Sequence, residues 1–184
     1  MKKLFLLSAF AATMWLVQAC SSASETTTGD TTASSSDTAA VVLADSLFIR
    51  QAAAGGKAEV ELGNLALATS SNTSVKDFAT MMVADHTKSN EELMAMAKNK
   101  SFTLPDTLYG EHKATADNLR SLTGTAFDKA YMAAMVEGHQ KMLSLLQSET
   151  QSGMDANLKD YATKTAPVVQ THLEQAQKIQ AGIR

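Results

Sequence analysis

The sequence predicts an all-α domain in which four long helices form a bundle. Apolar residues across 41–184 recur at steps of three and four, the spacing of one face of a helix. Ala, Leu, Met, Lys, Glu and Gln, which favour helix, dominate this stretch. Only Pro105 and Pro167 interrupt it, and no segment alternates polar with apolar residues as a half-buried strand would.

Breaks in this pattern divide the domain into five predicted helices. The four long ones are expected near 43–70, 75–99, 126–150 and 156–181, and a short one near 106–122. Ser74, Thr125 and Asp155 are the expected N-caps of the last three long helices, because their side-chain oxygens can accept from free N–H groups of the first turn.

A repeated pentapeptide indicates how the helices are connected. KDFAT occupies 76–80 and KDYAT occupies 159–163, each in the first turn of a long helix that follows another long helix and a small polar break. A chance match is the alternative in a chain rich in Ala and Lys. Duplication would give two related helical hairpins joined by a long crossover that holds the short helix, which is the ferritin-like arrangement.

The chain begins with the features of a lipoprotein leader. Residues 1–19 read as a signal peptide, with Lys2 and Lys3 before an apolar run too short to span a bilayer. A small residue precedes Cys20, which is therefore the expected lipidation site and membrane anchor; an ordinary secretory signal with a chance cysteine is the alternative. Residues 20–40 are rich in Ser and Thr and read as a disordered tether, which leaves 41–184 as the folded domain.

The lipoprotein-like leader predicts a location in the cell envelope, on the periplasmic side or the surface of the outer membrane. Without Lys2 and Lys3 the chain carries 14 basic and 19 acidic residues. No basic cluster is present, so we expect no nucleic-acid partner.

Four polar residues interrupt the apolar stripes near the middle of the long helices: Glu59, His86, His139 and His172. In a bundle they could share one level. The register is imperfect, because His86 stands ten residues after Lys76 whereas His172 stands thirteen after Lys159. Three residues correspond to about 4.5 Å along a helix. A kink at Pro167 could bring the levels together or apart.

Two interpretations of this layer stay open. A hydrogen-bonded His/Glu layer could fix the helix register. Alternatively, three imidazoles and a carboxylate could bind one zinc, copper or iron ion. A di-iron centre is not expected, because it needs Glu-x-x-His motifs and each histidine here follows Val-x-x, with Val83, Val136 and Val169 in the acidic positions.

Several stretches resemble a bacterial family of envelope proteins known as domain of unknown function 4142. They are FIRQAAAGGKAEVELGNLAL, VKDFATMMVADHTKSNEEL, LPDTL, GTAFDKAYMAAMVEGH and LKDYATKTAPVVQTHLEQA, and the likeness covers about 45–182. The resemblance implies a ferritin-like fold and an envelope location but no reaction. The four residues of the His/Glu layer fall where the family pattern places Glu and His.

Three functional hypotheses follow. The first is a non-enzymatic structural or interaction module, the second a mononuclear metal-binding protein that uses the His/Glu layer, and the third an enzyme at that same layer. No catalytic residue is assigned, since the sequence holds neither a nucleophile elbow nor a phosphate-binding loop. Asp85 and Glu137 are expected to be solvated, and His112 to be a surface or packing residue.

Overall fold

The computed structural model describes residues 35–184, with side chains from Leu43 onward. Five helices make up this part of the chain: α1 (Ser35–Thr69), α2 (Thr73–Asn99), α3 (Gly110–Arg120), α4 (Gly124–Ser152) and α5 (Ala156–Gly182). The predicted all-α bundle of four long helices and one short helix is confirmed. None of the described helices combines the length and apolar composition needed to cross a membrane.

Two antiparallel hairpins, α1–α2 and α4–α5, form the bundle. Contacts at its ends fix how they pair. Ser70, just after α1, donates a 2.6 Å hydrogen bond to Asp128 at the start of α4, and Lys100, just after α2, pairs with Asp155 before α5. Helices α1 and α4 are therefore antiparallel, as are α2 and α5. The long connection between the hairpins holds α3, which packs on α1 and α4.

Several helices begin at residues other than those predicted. Asn72, rather than Ser74, caps α2, and its Oδ1 accepts from the N–H groups of Ser74 and Val75. Asp155 caps α5 as predicted, accepting from two backbone N–H groups in the same way. Thr125 lies inside α4, whose N-cap is Thr123.

The other helix boundaries shift by up to eight residues. The short helix begins at Gly110, four residues later than predicted, because Gly110 adopts a positive φ of 54° that a regular helix cannot continue through. The first helix begins at Ser35 and so includes residues 35–40, which the composition had placed in the tether.

The repeated pentapeptides occupy equivalent positions. Lys76 and Lys159 each stand four residues after the N-cap, and their N–H groups donate to the carbonyls of Asn72 and Asp155. In both copies the threonine hydroxyl donates to the lysine carbonyl, at 2.9 Å from Thr80 and 2.8 Å from Thr163. The aromatic residue of each copy is buried. This equivalence supports two hairpins of common origin.

The apolar core consists of two clusters, one in each half of the bundle. One is centred on Phe78, Phe127 and Tyr131, and the other on Phe48, Leu93 and Leu158. Glu59 and the three mid-helix histidines belong to neither cluster and are buried. The bundle therefore encloses a polar layer near its middle.

Another buried carboxylate, Glu149, lies near the end of α4 and makes stability depend on pH. Burial and the nearby Asp45 and Asp155 carboxylates raise the pKa of Glu149 from 4.5 to about 7. The folded protein therefore holds a proton that the unfolded chain has released. The contribution of Glu149 to stability should be greatest below pH 4.5 and be lost as the pH rises to about 7.

Glu149→Gln should remove this dependence and stabilise the protein at pH 8 by about 1–2 kcal/mol, a value discounted for solvent screening. Urea unfolding at pH 4.5 and pH 8 measures it, with the exposed Glu91→Gln as the matched control. An equal change for both variants would contradict the assignment.

Candidate metal centre

The three mid-helix histidines converge inside the bundle. The ring centroids of His86, His139 and His172 lie 5.6–5.7 Å apart. One ring nitrogen of each histidine lies within 4.8 Å of those of the other two. The exposed fractions of these residues are 7%, 0% and 3%. Three residues from three helices, α2, α4 and α5, thus meet at one buried point.

His139 has its proton position fixed by the backbone of α4. Its Nδ1 lies 2.8 Å from the carbonyl oxygen of Met135, one turn earlier. A carbonyl oxygen can only accept, so Nδ1 must carry the proton and donate it. In this tautomer Nε2 is the nitrogen with the free lone pair, and this atom is buried without a hydrogen-bond partner among the described residues.

The other two imidazoles are oriented by carboxylates. Nδ1 of His86 lies 2.9 Å from Oε2 of Glu59, and Nε2 of His172 lies 3.0 Å from Oδ2 of Asp85. A carboxylate favours the tautomer with the proton on the facing nitrogen. The lone pairs then reside on Nε2 of His86 and Nδ1 of His172, and both atoms are buried without partners in the described part of the chain.

Glu59 lies behind the imidazoles. Besides its contact with His86, its Oε1 is 3.2 Å from Nδ1 of His139. Glu59 therefore faces the protonated nitrogens and not the free lone pairs. The carboxylate–His86 contact is short but poorly aligned, since Oε2 of Glu59 makes no well-directed hydrogen bond within the described structure.

The charges of the layer depend strongly on one another. Burial alone would raise the pKa of Glu59, but nearby His86 and His139 outweigh it and lower the pKa to about 2. Burial disfavours charge on His86 too, yet the Glu59 carboxylate raises the pKa of that imidazole. Burial, with His86 and His139 as like charges, lowers the pKa of His172. His172 is therefore held neutral, the form that binds a metal.

Asp85 is the site residue that the sequence interpretation missed. It was expected to be solvated, and its side chain is indeed 48% exposed, but one oxygen contacts His172 across the α2–α5 interface. Its position next to His86 was the available signal in the sequence. A residue beside one that faces the centre of the bundle can lie at the edge of that face, where it can contact a neighbouring helix. Glu137 is exposed, as expected, and pairs with Lys141. His112 is half-buried on α3.

Together these contacts form the pattern of a prepared donor set. Metal-binding histidines commonly donate their second ring N–H to a carboxylate or backbone carbonyl, which fixes the tautomer. Each of the three imidazoles has such a partner on one nitrogen and a bare, buried nitrogen on the other.

Cys20, the predicted lipidation site, lies outside the described residues.

The fold and this layer define a four-helix-bundle domain with three converging buried histidines. The chain belongs to the family described as Domain of unknown function (DUF4142), whose model matches residues 30–179. The resemblance found in the sequence is thereby confirmed. No curated protein matches the chain significantly.

Solved structures of another uncharacterised family share the fold. A DUF305 protein from Streptomyces coelicolor, inferred to be secreted, has a TM-score of 0.66 at 13% identity, covering 76% of this chain and 91% of its own. A DUF305 fragment from Deinococcus radiodurans has a TM-score of 0.68 at 12% identity, covering 75% and 95%. At these identities the likeness extends to the fold alone.

Proposed function

We propose that the protein binds one transition-metal ion through Nε2 of His86, Nε2 of His139 and Nδ1 of His172. The observation that carries the proposal is that these three nitrogens are all buried without partners among the described residues, on rings whose centroids lie 5.6–5.7 Å apart. Leaving a polar group buried and unpaired costs about 1–3 kcal/mol. A single metal ion bound by all three atoms would remove this cost at each of them.

The donor chemistry narrows the choice of ion. Neutral imidazole suits zinc, copper, nickel and iron, whereas calcium and magnesium prefer oxygen. Metal–nitrogen bonds of 2.0–2.1 Å in a tetrahedron put the nitrogens about 3.4 Å apart. The histidine nitrogens lie within 4.8 Å, so small side-chain rotations would close the site. Three protein ligands leave a fourth position for water or another ligand.

In this proposal Glu59 orients the ligands and is not the fourth ligand that the sequence interpretation had suggested. Its oxygens face the Nδ1 atoms of His86 and His139, on the far side of each ring from the free nitrogens. Asp85 has the corresponding role for His172. A site built only to fix helix register would not need a bare nitrogen on each ring, and this favours metal binding over the structural module.

Elemental analysis of the untagged full-length protein tests the proposal. We expect about one equivalent of zinc, copper or iron per chain after dialysis. His86→Gln, His139→Gln and His172→Gln should each reduce retained metal at least tenfold, since two imidazoles hold an ion far less tightly than three. His112→Gln, which changes a histidine outside the layer, should retain it. Metal-free wild-type protein, or equal metal in all four variants, would refute a site at the layer.

We further propose that the protein is attached to a membrane of the cell envelope by lipid on Cys20. The leader sequence supports this, with Lys2 and Lys3 before an apolar run and a small residue before Cys20. Cys20→Ala should move the protein from the membrane fraction to the soluble fraction and abolish incorporation of a labelled fatty acid. Ser21→Ala, its neighbour, is the control. Membrane retention of Cys20→Ala without label would show another means of attachment.

A further inference from the structure

A cavity of about 570 Å³ lies between α1, α3 and α4. Its lining includes Glu59 but none of His86, His139 and His172. Cavities of this volume commonly accommodate small molecules. Glu59 of the His/Glu layer is thus also part of the wall of this cavity.

Small and apolar residues leave the approach to Glu59 open. Ala58, Ala134 and Gly138 line the cavity near it, and Met142 and Leu145 extend the apolar surface. A Cβ placed on Gly138 would stand 3.6 Å from Oε1 of Glu59, so the absence of a side chain there keeps that oxygen uncovered on the cavity side.

Glu59 has acceptor capacity that its imidazole neighbours do not use. A carboxylate offers about four lone-pair positions, and His86 and His139 can each supply at most one N–H to it. Glu59 is 95% buried. Its Oε1, the oxygen beside Gly138, is approached at 3.2 Å by His139 Nδ1, whose proton is already donated to the carbonyl of Met135. A ligand with N–H donors would fill this deficit, because a buried acceptor is stabilised by pairing.

The charged residues at the entrance of the cavity also favour a cation over an anion. Glu111 and Glu137 stand there with Lys141, and the lysine ammonium pairs with both carboxylates, at 2.7 and 3.0 Å. The positive charge is thus already balanced, and one carboxylate charge is in excess. An anion would meet net repulsion at the entrance and at Glu59, whereas a cation would not.

We propose that this cavity binds a small organic ammonium compound whose apolar body lies along Ala134, Met142 and Leu145 and whose ammonium group donates to Glu59. The ammonium group would contact the carboxylate and none of the histidine nitrogens, so the cavity does not need an ion at the histidines in order to bind it. The proposal therefore goes beyond metal binding and can fail or succeed separately from it.

Binding of 4-fluorobenzylammonium, followed by fluorine NMR with the full-length protein, tests the proposal. For so small a probe we expect a Kd on the order of 1 mM. The matched anion, 4-fluorobenzoate, should bind at least tenfold more weakly. Chelator-treated protein should bind the ammonium probe, and metal-loaded protein should bind it more weakly because the dication lies close to Glu59. No ammonium binding at 10 mM, or equal binding of the two probes, would overturn the proposal.

Two neighbouring alanines on α4 offer a matched pair of variants. Ala134→Leu fills the cavity and should weaken ammonium binding at least tenfold, whereas Ala133→Leu, at an exposed position, should leave it within twofold. Thr115→Phe fills the cavity from α3 and guards against a folding defect specific to Ala134. Unchanged binding in both filled variants would show that the probe binds elsewhere.

Metal content of the same samples separates the two proposals. Ala134→Leu should keep its metal, because Ala134 lines a cavity to which none of the three histidines contributes. Ammonium binding by a protein that holds no metal would refute the metal centre alone. Stoichiometric metal without ammonium binding would refute the pocket alone.

Discussion

Glu59→Gln is expected to weaken metal binding by about 10- to 100-fold without unfolding the bundle, the usual effect of losing a partner that orients metal ligands. The carboxylate contacts Nδ1 of both His86 and His139, so one substitution affects two of the three proposed ligands. An amide is nearly the same shape but neutral. It would no longer favour a proton on both facing nitrogens or increase the basicity of the rings.

Competition of the purified variant against a chelator of known zinc affinity measures the change. Glu61→Gln is the matched control, because Glu61 lies on the same helix at the surface, paired with Arg120. Its affinity should stay within twofold of wild type. If Glu59→Gln bound metal as tightly as Glu61→Gln, Glu59 would have no orienting role.

Asp85 should matter less than Glu59. It orients one imidazole rather than two, and half of its side chain is exposed to water that can replace part of its interaction. This ranking follows from burial, and a reversed order of the two effects would indicate that His172 dominates the affinity.

The helices were predictable from the sequence because each one carries its own pattern. The apolar stripe, the cap at Asp155 and the paired pentapeptides are all local features that the fold keeps. The caps at Asn72 and Thr123 were missed because several polar residues stand before each helix, and only the backbone shows which one has extended dihedral angles.

The register of the histidines was less predictable, and antiparallel geometry explains why. The concern was that His86 and His172 stand ten and thirteen residues after equivalent lysines. The helices α2 and α5 run in opposite directions. Each additional residue before the histidine on one helix therefore moves that histidine toward the N-terminus of the other helix. Unequal counts are therefore compatible with a common level, and the rings lie 5.6 Å apart with Pro167 inside a continuous α5.

The rotation of each helix about its axis was beyond the sequence. Whether Asp85 faces solvent or α5 depends on a few tens of degrees of rotation of α2, which the packing of both apolar clusters sets. The cavity beneath α3 is another such feature, because residues from α1, α3 and α4 form it together. Long-range packing, not local pattern, determines these parts of the site.

Replacing the whole polar layer with leucine should stabilise the metal-free protein. We expect the variant with Glu59, His86, His139 and His172 all changed to Leu to unfold with a free energy higher by about 1–4 kcal/mol than chelator-treated wild type. The layer lies between two apolar clusters, so four leucines of similar volume would join them. They would also remove four buried polar atoms that lack partners in the described structure.

The single change His139→Leu should have the opposite sign. It leaves Glu59 with only one of its two imidazole partners, and a buried carboxylate that loses a partner costs about 1–3 kcal/mol. Urea unfolding in the presence of a chelator measures the free energy of unfolding of both variants. Opposite signs for the single and the quadruple variant would be a non-additive effect, which is expected for residues in one network. A stabilised quadruple variant would mean that the polar layer is kept for what it binds. A destabilised or non-cooperative one would mean that the layer sets the helix register, because apolar residues of equal size would then fail to specify a single packing.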